Sequence, residues 1–174
     1  MSEQIILAGD MALNYGFAIG STEEGFVAST AGSVESIRMK QGVAAASSKV
    51  REHAVEFAFE YVECVDLIVF EEVTSQNHGP AQLTQYAMLT GFLQAGIGLY
   101  AGGETLSYYP ATIKARGAGH GRASKRDMIR AAHGWSGKKP ATDDEADAIL
   151  LLKLALEDTI AKQPKPLKME ELPF

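Results

Sequence analysis

The sequence predicts an α/β fold: a mixed five-stranded sheet, three antiparallel strands followed by parallel ones, with helices on both faces. Three observations predict it. Short apolar runs end or turn at residues 4–10, 15–19, 26–31 and 65–73. The first three are joined by turn-length connections, which favour antiparallel neighbours. The fourth is reached through a long stretch of helical spacing, which implies a crossover and parallel pairing with the first.

Residues 4–10 read as a buried strand ending in Asp10. Residues 15–19 and 26–31 read as two more, separated by the turn-like Gly20-Ser21-Thr22-Glu23-Glu24-Gly25. From 38 to 62 the positions Val43, Ala46, Val50, Ala54, Phe57 and Tyr61 share one helical stripe. Residues 65–73 form a central strand carrying Glu71. Pro80 starts a helix to about Tyr100, since a first-turn proline loses no hydrogen bond. Its small residues (Gly91, Ala95, Gly96, Gly98) permit close packing and make it the candidate dimer interface. Thr105 to Tyr109 is a last strand stopped by Pro110, and 111–115 a short helical turn. Residues 117–121 are a glycine-rich loop. Ser124 caps a helix from Lys125 to His133, and Thr142 or Asp143 caps the final helix to Lys162. Residues 1–162 therefore form one domain, and the Pro- and Lys-containing 163–174 an extended tail.

The 174 residues, 46% apolar and 22% charged, suit one soluble domain with a real core. No apolar run is long enough to span a bilayer, and no basic n-region opens the chain. The single cysteine, Cys64, cannot form an internal disulfide, which fits a reducing cytoplasm. Its apolar surroundings read as those of a buried structural thiol. The net charge of −6 hides an asymmetry. Residues 111–140 hold eight basic side chains against Asp127 alone, whereas the rest holds 8 basic and 21 acidic ones. An acidic protein with one dense basic segment points to a local polyanion contact.

Four acids are the candidate site. Asp10 and Glu71 end apolar runs that pairing would place side by side. Asp144 and Asp147 are three apart, so they share a helix face. Acids in a first helical turn also complement the dipole and need no metal when taken singly. Taken jointly, converging carboxylates are costly to bury and are compensated by hard divalent cations. Two ions held so would activate a water and stabilise the leaving 3′ oxygen. With the basic segment beside them, the expected reaction is phosphodiester hydrolysis in nucleic acid.

Five segments carry a resemblance: Leu7-Ala8-Gly9-Asp10 with Gly16, Val69-Phe70-Glu71-Glu72-Val73, Tyr109-Pro110-Ala111-Thr112-Ile113-Lys114 with Gly117 and Gly119, Ser124-Lys125, and Asp144-Glu145-Ala146-Asp147-Ala148. Over about residues 4–158 the chain resembles the RuvC-type Holliday junction resolvases of the ribonuclease H-like superfamily. The resemblance implies a homodimer that nicks four-way DNA junctions with Mg²⁺ or Mn²⁺, two ions per site, leaving 5′-phosphates. It implies Asp10, Glu71, Asp144 and Asp147 as catalytic metal ligands, with Lys114 and Lys125 beside the scissile phosphate. Arg116, Arg122, Arg126 and Arg130 complete the expected DNA-binding set. Met11-Ala12 after Asp10, and Thr74 in place of an aromatic wedge, depart from cellular members and point to a phage-like enzyme with broad branched-DNA specificity. The alternatives are a non-catalytic branched-DNA-binding protein and a ribonuclease for RNA–DNA hybrids.

Other residues carry weaker signals. His78 and His120 sit in loops within reach of proton-transfer roles, though a plain surface role is simpler. Trp135 reads as a core indole before a base-stacking one. Glu72 and Asp143 would replace the proposed ligands if the register shifted by one. The terminal Glu170-Glu171-Leu172-Pro173-Phe174 resembles the acidic tip of bacterial single-stranded-DNA-binding proteins, a possible protein-docking peptide.

Overall fold

The computed structural model describes residues 3–73 and 80–162. Thr74, His78 and the tail peptide Glu170–Phe174 lie outside the described residues. Five strands form a sheet whose central members are buried almost throughout, as cover on both faces requires. They are β1 (Ile5–Asp10), β2 (Asn14–Ser21), β3 (Gly25–Ser33), β4 (Val65–Glu71) and β5 (Tyr100–Tyr108), in spatial order β3-β2-β1-β4-β5. β1 pairs antiparallel with β2, and β2 with β3. β4 pairs parallel with β1 and with β5. The mixed sheet is the one expected from the connection lengths.

Alternation along β1 splits the core in two. Leu7 faces a cluster containing Phe17, Ile19, Val50, Ile68, Met88 and Phe92. That face is covered by α1 (Glu35–Gln41), α2 (Val43–Phe59) and α3 (Pro80–Leu99). Ile6 and Ala8 face the opposite cluster with Val69, Met128, Leu150 and Leu154. There the cover is α4 (Pro110–Thr112), a π-helical turn (Ile113–Gly117), α5 (Lys125–Ser136) and α6 (Asp143–Lys162). α6 is sandwiched between sheet and α5, so Ile149 to Leu152 are all buried, each such side chain contributing about 1.5–3 kcal/mol.

Local chemistry corrects several sequence expectations. The stripe over 38–62 is two helices, because Gly42 at φ 90° ends one and starts the other. Val43 and Tyr61, placed on the buried stripe, are exposed. Cys64 lies in the connection before β4 and is exposed rather than buried. β5 begins at Tyr100, earlier than Thr105. α5 continues past His133 to Ser136, where Gly137 at φ 72° closes it. The small-residue face of α3 serves the chain's own packing at Gly91, where a Cβ would sit 2.4 Å from the Ser47 carbonyl oxygen. Ser124 caps α5 with a full capping box to Asp127, as its sequence indicates.

Candidate active site

The parallel register of β1 and β4 runs to Gly9 opposite Phe70, so Asp10 and Glu71 are the next residues on adjacent strands. On its other side Asp10 pairs with Gly16 of β2. Gly16 is where the last helix lands: a Cβ there would lie 2.2 Å from the Asp144 carbonyl oxygen. A side chain at 16 would lift α6 off the sheet, so the glycine brings Asp144 and Asp147 over the end that carries Asp10 and Glu71. Thr142 caps α6 by accepting a hydrogen bond from the Glu145 amide at 3.1 Å.

Electrostatics confirm that the acids are neighbours. Asp10 is held well above the usual carboxylate range, first by burial and then by Glu71, Asp147, Asp144 and Asp143. Asp147 is pushed up to about 7 by burial, with Glu71, Asp143 and Asp144 adding to it. Burial also raises Glu71, against the pull of Lys114. Asp144 is raised by burial and by Asp143. Asp143 goes the other way, because Lys125 donates to its carboxylate. None of the four clustered acids is ion-paired to an arginine among the described residues.

The donor set fits a hard divalent cation. Asp147 Oδ1 is buried with no hydrogen-bond partner, an orphan that solvent does not relieve. An all-carboxylate group with raised pKa values is the chemistry that magnesium or manganese compensates. Among the described residues, no group of three or more His, Cys, Asp or Glu side chains is placed so as to hold a metal ion. Asp10 and Asp147 are the two of the four acids that the others strain.

The basic candidates divide by partner. Lys114 acts on both Glu71 and Asp147. Lys125 is highly exposed and bound to Asp143 beside the cluster. Arg122 and Arg126 are exposed, and Arg130 lies 3.5 Å from Asp127. Arg116 is engaged elsewhere: it donates twice to Asp158, at 2.9 and 2.7 Å, and Tyr108 donates to the same carboxylate at 2.6 Å. His120 is exposed and 3.9 Å from Asp127. Trp135 is partly buried and packs edge-on against Phe26, 6.0 Å between centroids, at the margin of the core. Glu72 accepts from Ser107 at 3.3 Å, away from the four acids' mutual interactions.

Glu145 is a site residue that the sequence concealed. It is 2% exposed, and its Oε1 accepts from Ser29 at 2.7 Å and from Lys138 at 2.8 Å. Its Oε2 accepts from the Ala141 amide at 2.7 Å. Lys138 also donates to the Ser29 carbonyl. This knot fastens the first turn of α6, and so Asp144, to β3. Ser29 is 116 residues away, so no local pattern announces the knot.

The sheet order and the helices on both faces are those of the ribonuclease H-like fold. Within that class its shape is that of RuvC. The Thermus thermophilus RuvC structure superposes with a TM-score of 0.69 at 15% identity, covering 91% of this chain and 97% of that one. T. thermophilus RuvC in complex with a Holliday junction substrate gives 0.69 at 13% identity, covering 90% and 96%. A crossover junction endodeoxyribonuclease RuvC from Anaeromyxobacter sp. (strain Fw109-5) is 45% identical over 51 residues. That stretch is 29% of this chain and 25% of the relative, so the match spans about a quarter of the relative's length. No family model matches.

Proposed function

We propose that this protein is a divalent-metal-dependent endonuclease that resolves four-way junctions and other branched DNA, leaving 5′-phosphate ends. One observation carries the reading: Asp10 and Glu71 follow paired residues on adjacent strands, and α6 lands on Gly16 so that Asp144 and Asp147 come to the same sheet end, where Lys125 also lies. Asp10, Glu71, Asp144 and Asp147 would hold the ions, Mg²⁺ or Mn²⁺ and two per site. Bound there, such ions supply charge neutralisation and an activated water for phosphodiester hydrolysis.

The chain's own residues do the rest. Lys114 faces Glu71 and Asp147, so it is placed to meet a phosphate oxygen at the cluster. Lys125 is free to exchange Asp143 for the scissile strand, since its side chain is exposed. Arg122, Arg126 and Arg130 extend the positive surface along α5 and its leading loop, holding flanking phosphates without reading sequence. Arg116 is assigned to the Asp158 pair and to fixing the π-helical turn that bears Lys114. A homodimer would present two such sites to the two symmetric strands of a junction.

The test is cleavage of matched synthetic four-way junction, fork, RNA–DNA hybrid and duplex with Mg²⁺, beside Asp10→Asn and Glu71→Gln. Junction and fork cleavage that both substitutions abolish supports the reading. Tight junction binding without cleavage would make the chain a branched-DNA-binding protein instead. Preferred cutting of the hybrid would make it a ribonuclease.

A further inference from the structure

All the expected DNA contacts lie on the α5–α6 face of the sheet. The opposite face, the side of α1 and α3, also reaches the acid cluster. There a cavity of about 550 Å³ opens, bordered by Asn14, Arg38, Thr84, Gln85 and Asp144. It adjoins the cluster directly, because Asp144 belongs to both.

Arg38 is the cation of that cavity. It stands in α1, which the Val34 amide ties to the Leu13 carbonyl at 2.8 Å, in the loop that follows Asp10. Its Nε is buried and has no hydrogen-bond partner. The one contact of its terminal nitrogens among the described residues is to Met39 Sδ at 3.5 Å, a weak acceptor. No carboxylate pairs with it there, even though Asp144 borders the same cavity. Burying part of a guanidinium without a partner is costly, and the group is built to receive two oxygens of one anion. Only one other described buried side-chain atom, Asp147 Oδ1 of the cluster, shares this orphan state.

We infer that Arg38, in the groove between α1 and α3, binds a backbone phosphate of the nicked strand on the side of the active site opposite Lys114 and Lys125. The inference rests on the nuclease reading and deepens it. The scissile strand is then gripped on both sides of the sheet end, and Arg38 fixes where it leaves the metals. Asn14 and Gln85 supply neutral donors along the same groove.

The experiment measures junction binding in an Asp10→Asn background across a salt series, with and without Arg38→Met, and with junctions neutralised at one phosphate at a time by methylphosphonate. Arg38→Met is expected to weaken binding about tenfold and to reduce the slope of log affinity against log salt by about one. One methylphosphonate position should weaken the parent and leave Arg38→Met unaffected. The substrate-side scan stands even if Arg38→Met folds poorly, since Arg38→Lys then replaces it, with a smaller loss at the same phosphate. An unchanged slope and the same sensitive phosphates in the variant would overturn the subsite. A parent protein that neither binds nor cuts branched DNA would instead overturn the nuclease reading itself.

Discussion

Replacing Asp147 by Asn should stabilise the metal-free protein while destroying its activity. Asp147 is carried from an ordinary value of 3.8 to about 7 by burial and by Glu71, Asp143 and Asp144. Each pKa unit corresponds to about 1.36 kcal/mol, so the ionised carboxylate costs the fold up to about 4 kcal/mol, or about 2 after discounting for solvent. The sign follows from the raised folded-state value. Below about pH 4 both states are protonated and the cost is absent. It grows as pH climbs from 4 to 7 and is complete above that. Asn keeps the shape and removes the charge. Thermal denaturation in EDTA should therefore show the variant melting higher at pH 8, by about 5–15 °C for a chain of this size, and level with the parent at pH 4. Adding Mg²⁺ should raise the parent's midpoint more than the variant's, because a ligand that binds only the folded state stabilises it. A variant that melts at or below the parent at pH 8, or an advantage equal at both pH values, would refute the strained-cluster reasoning.

Other perturbations act on the parts that hold the cluster. Gly16→Ala places a Cβ 2.2 Å from the Asp144 carbonyl oxygen, so it should cost about 1–3 kcal/mol by overpacking and lower cleavage far more than the melt implies. Single-turnover rates beside denaturation curves check this. Lys138→Met strands Glu145, whose burial is now outweighed by the bonds from Lys138, Ser29 and Ala141. It should destabilise the protein by about 1–3 kcal/mol near neutral pH. Because those bonds hold Glu145 below its ordinary value, the loss should shrink as pH falls through the carboxylate range, as urea titrations at two pH values would show. Lys125→Ala should leave the melting midpoint unchanged, since its side chain is exposed, yet slow junction cleavage in a stopped assay. Lys114→Met removes the charge that opposes the rise of Glu71 and Asp147, so the acid limb of the cleavage pH profile should move to higher pH.

Much of this was legible in the sequence because it is written locally. Apolar runs and turn lengths determine β1 to β4, and the same logic sets Asp10 beside Glu71. The three-residue spacing of Asp144 and Asp147 needs only a helix. Gly16 could be quoted as a motif residue, but its reason, contact with a carbonyl far along the chain, is tertiary. What escaped was of that kind. Gly42 breaks a helix whose apolar stripe runs on unbroken, because backbone conformation leaves no trace in periodicity. Cys64 looks buried from its apolar neighbours, yet it falls beyond the helix end and faces water. Arg116 looks like a DNA contact by charge, and only the fold brings Asp158 to it. Glu145 and Arg38 are ordinary charged residues in sequence, and their environments alone distinguish them.

Asp10 emerges among the first residues synthesised, whereas Asp144 and Asp147 come near the end of the domain and need α6 to land on Gly16. A growing polypeptide on the ribosome can form the first three strands early, but it cannot close the ligand group until the last helix has left the exit tunnel.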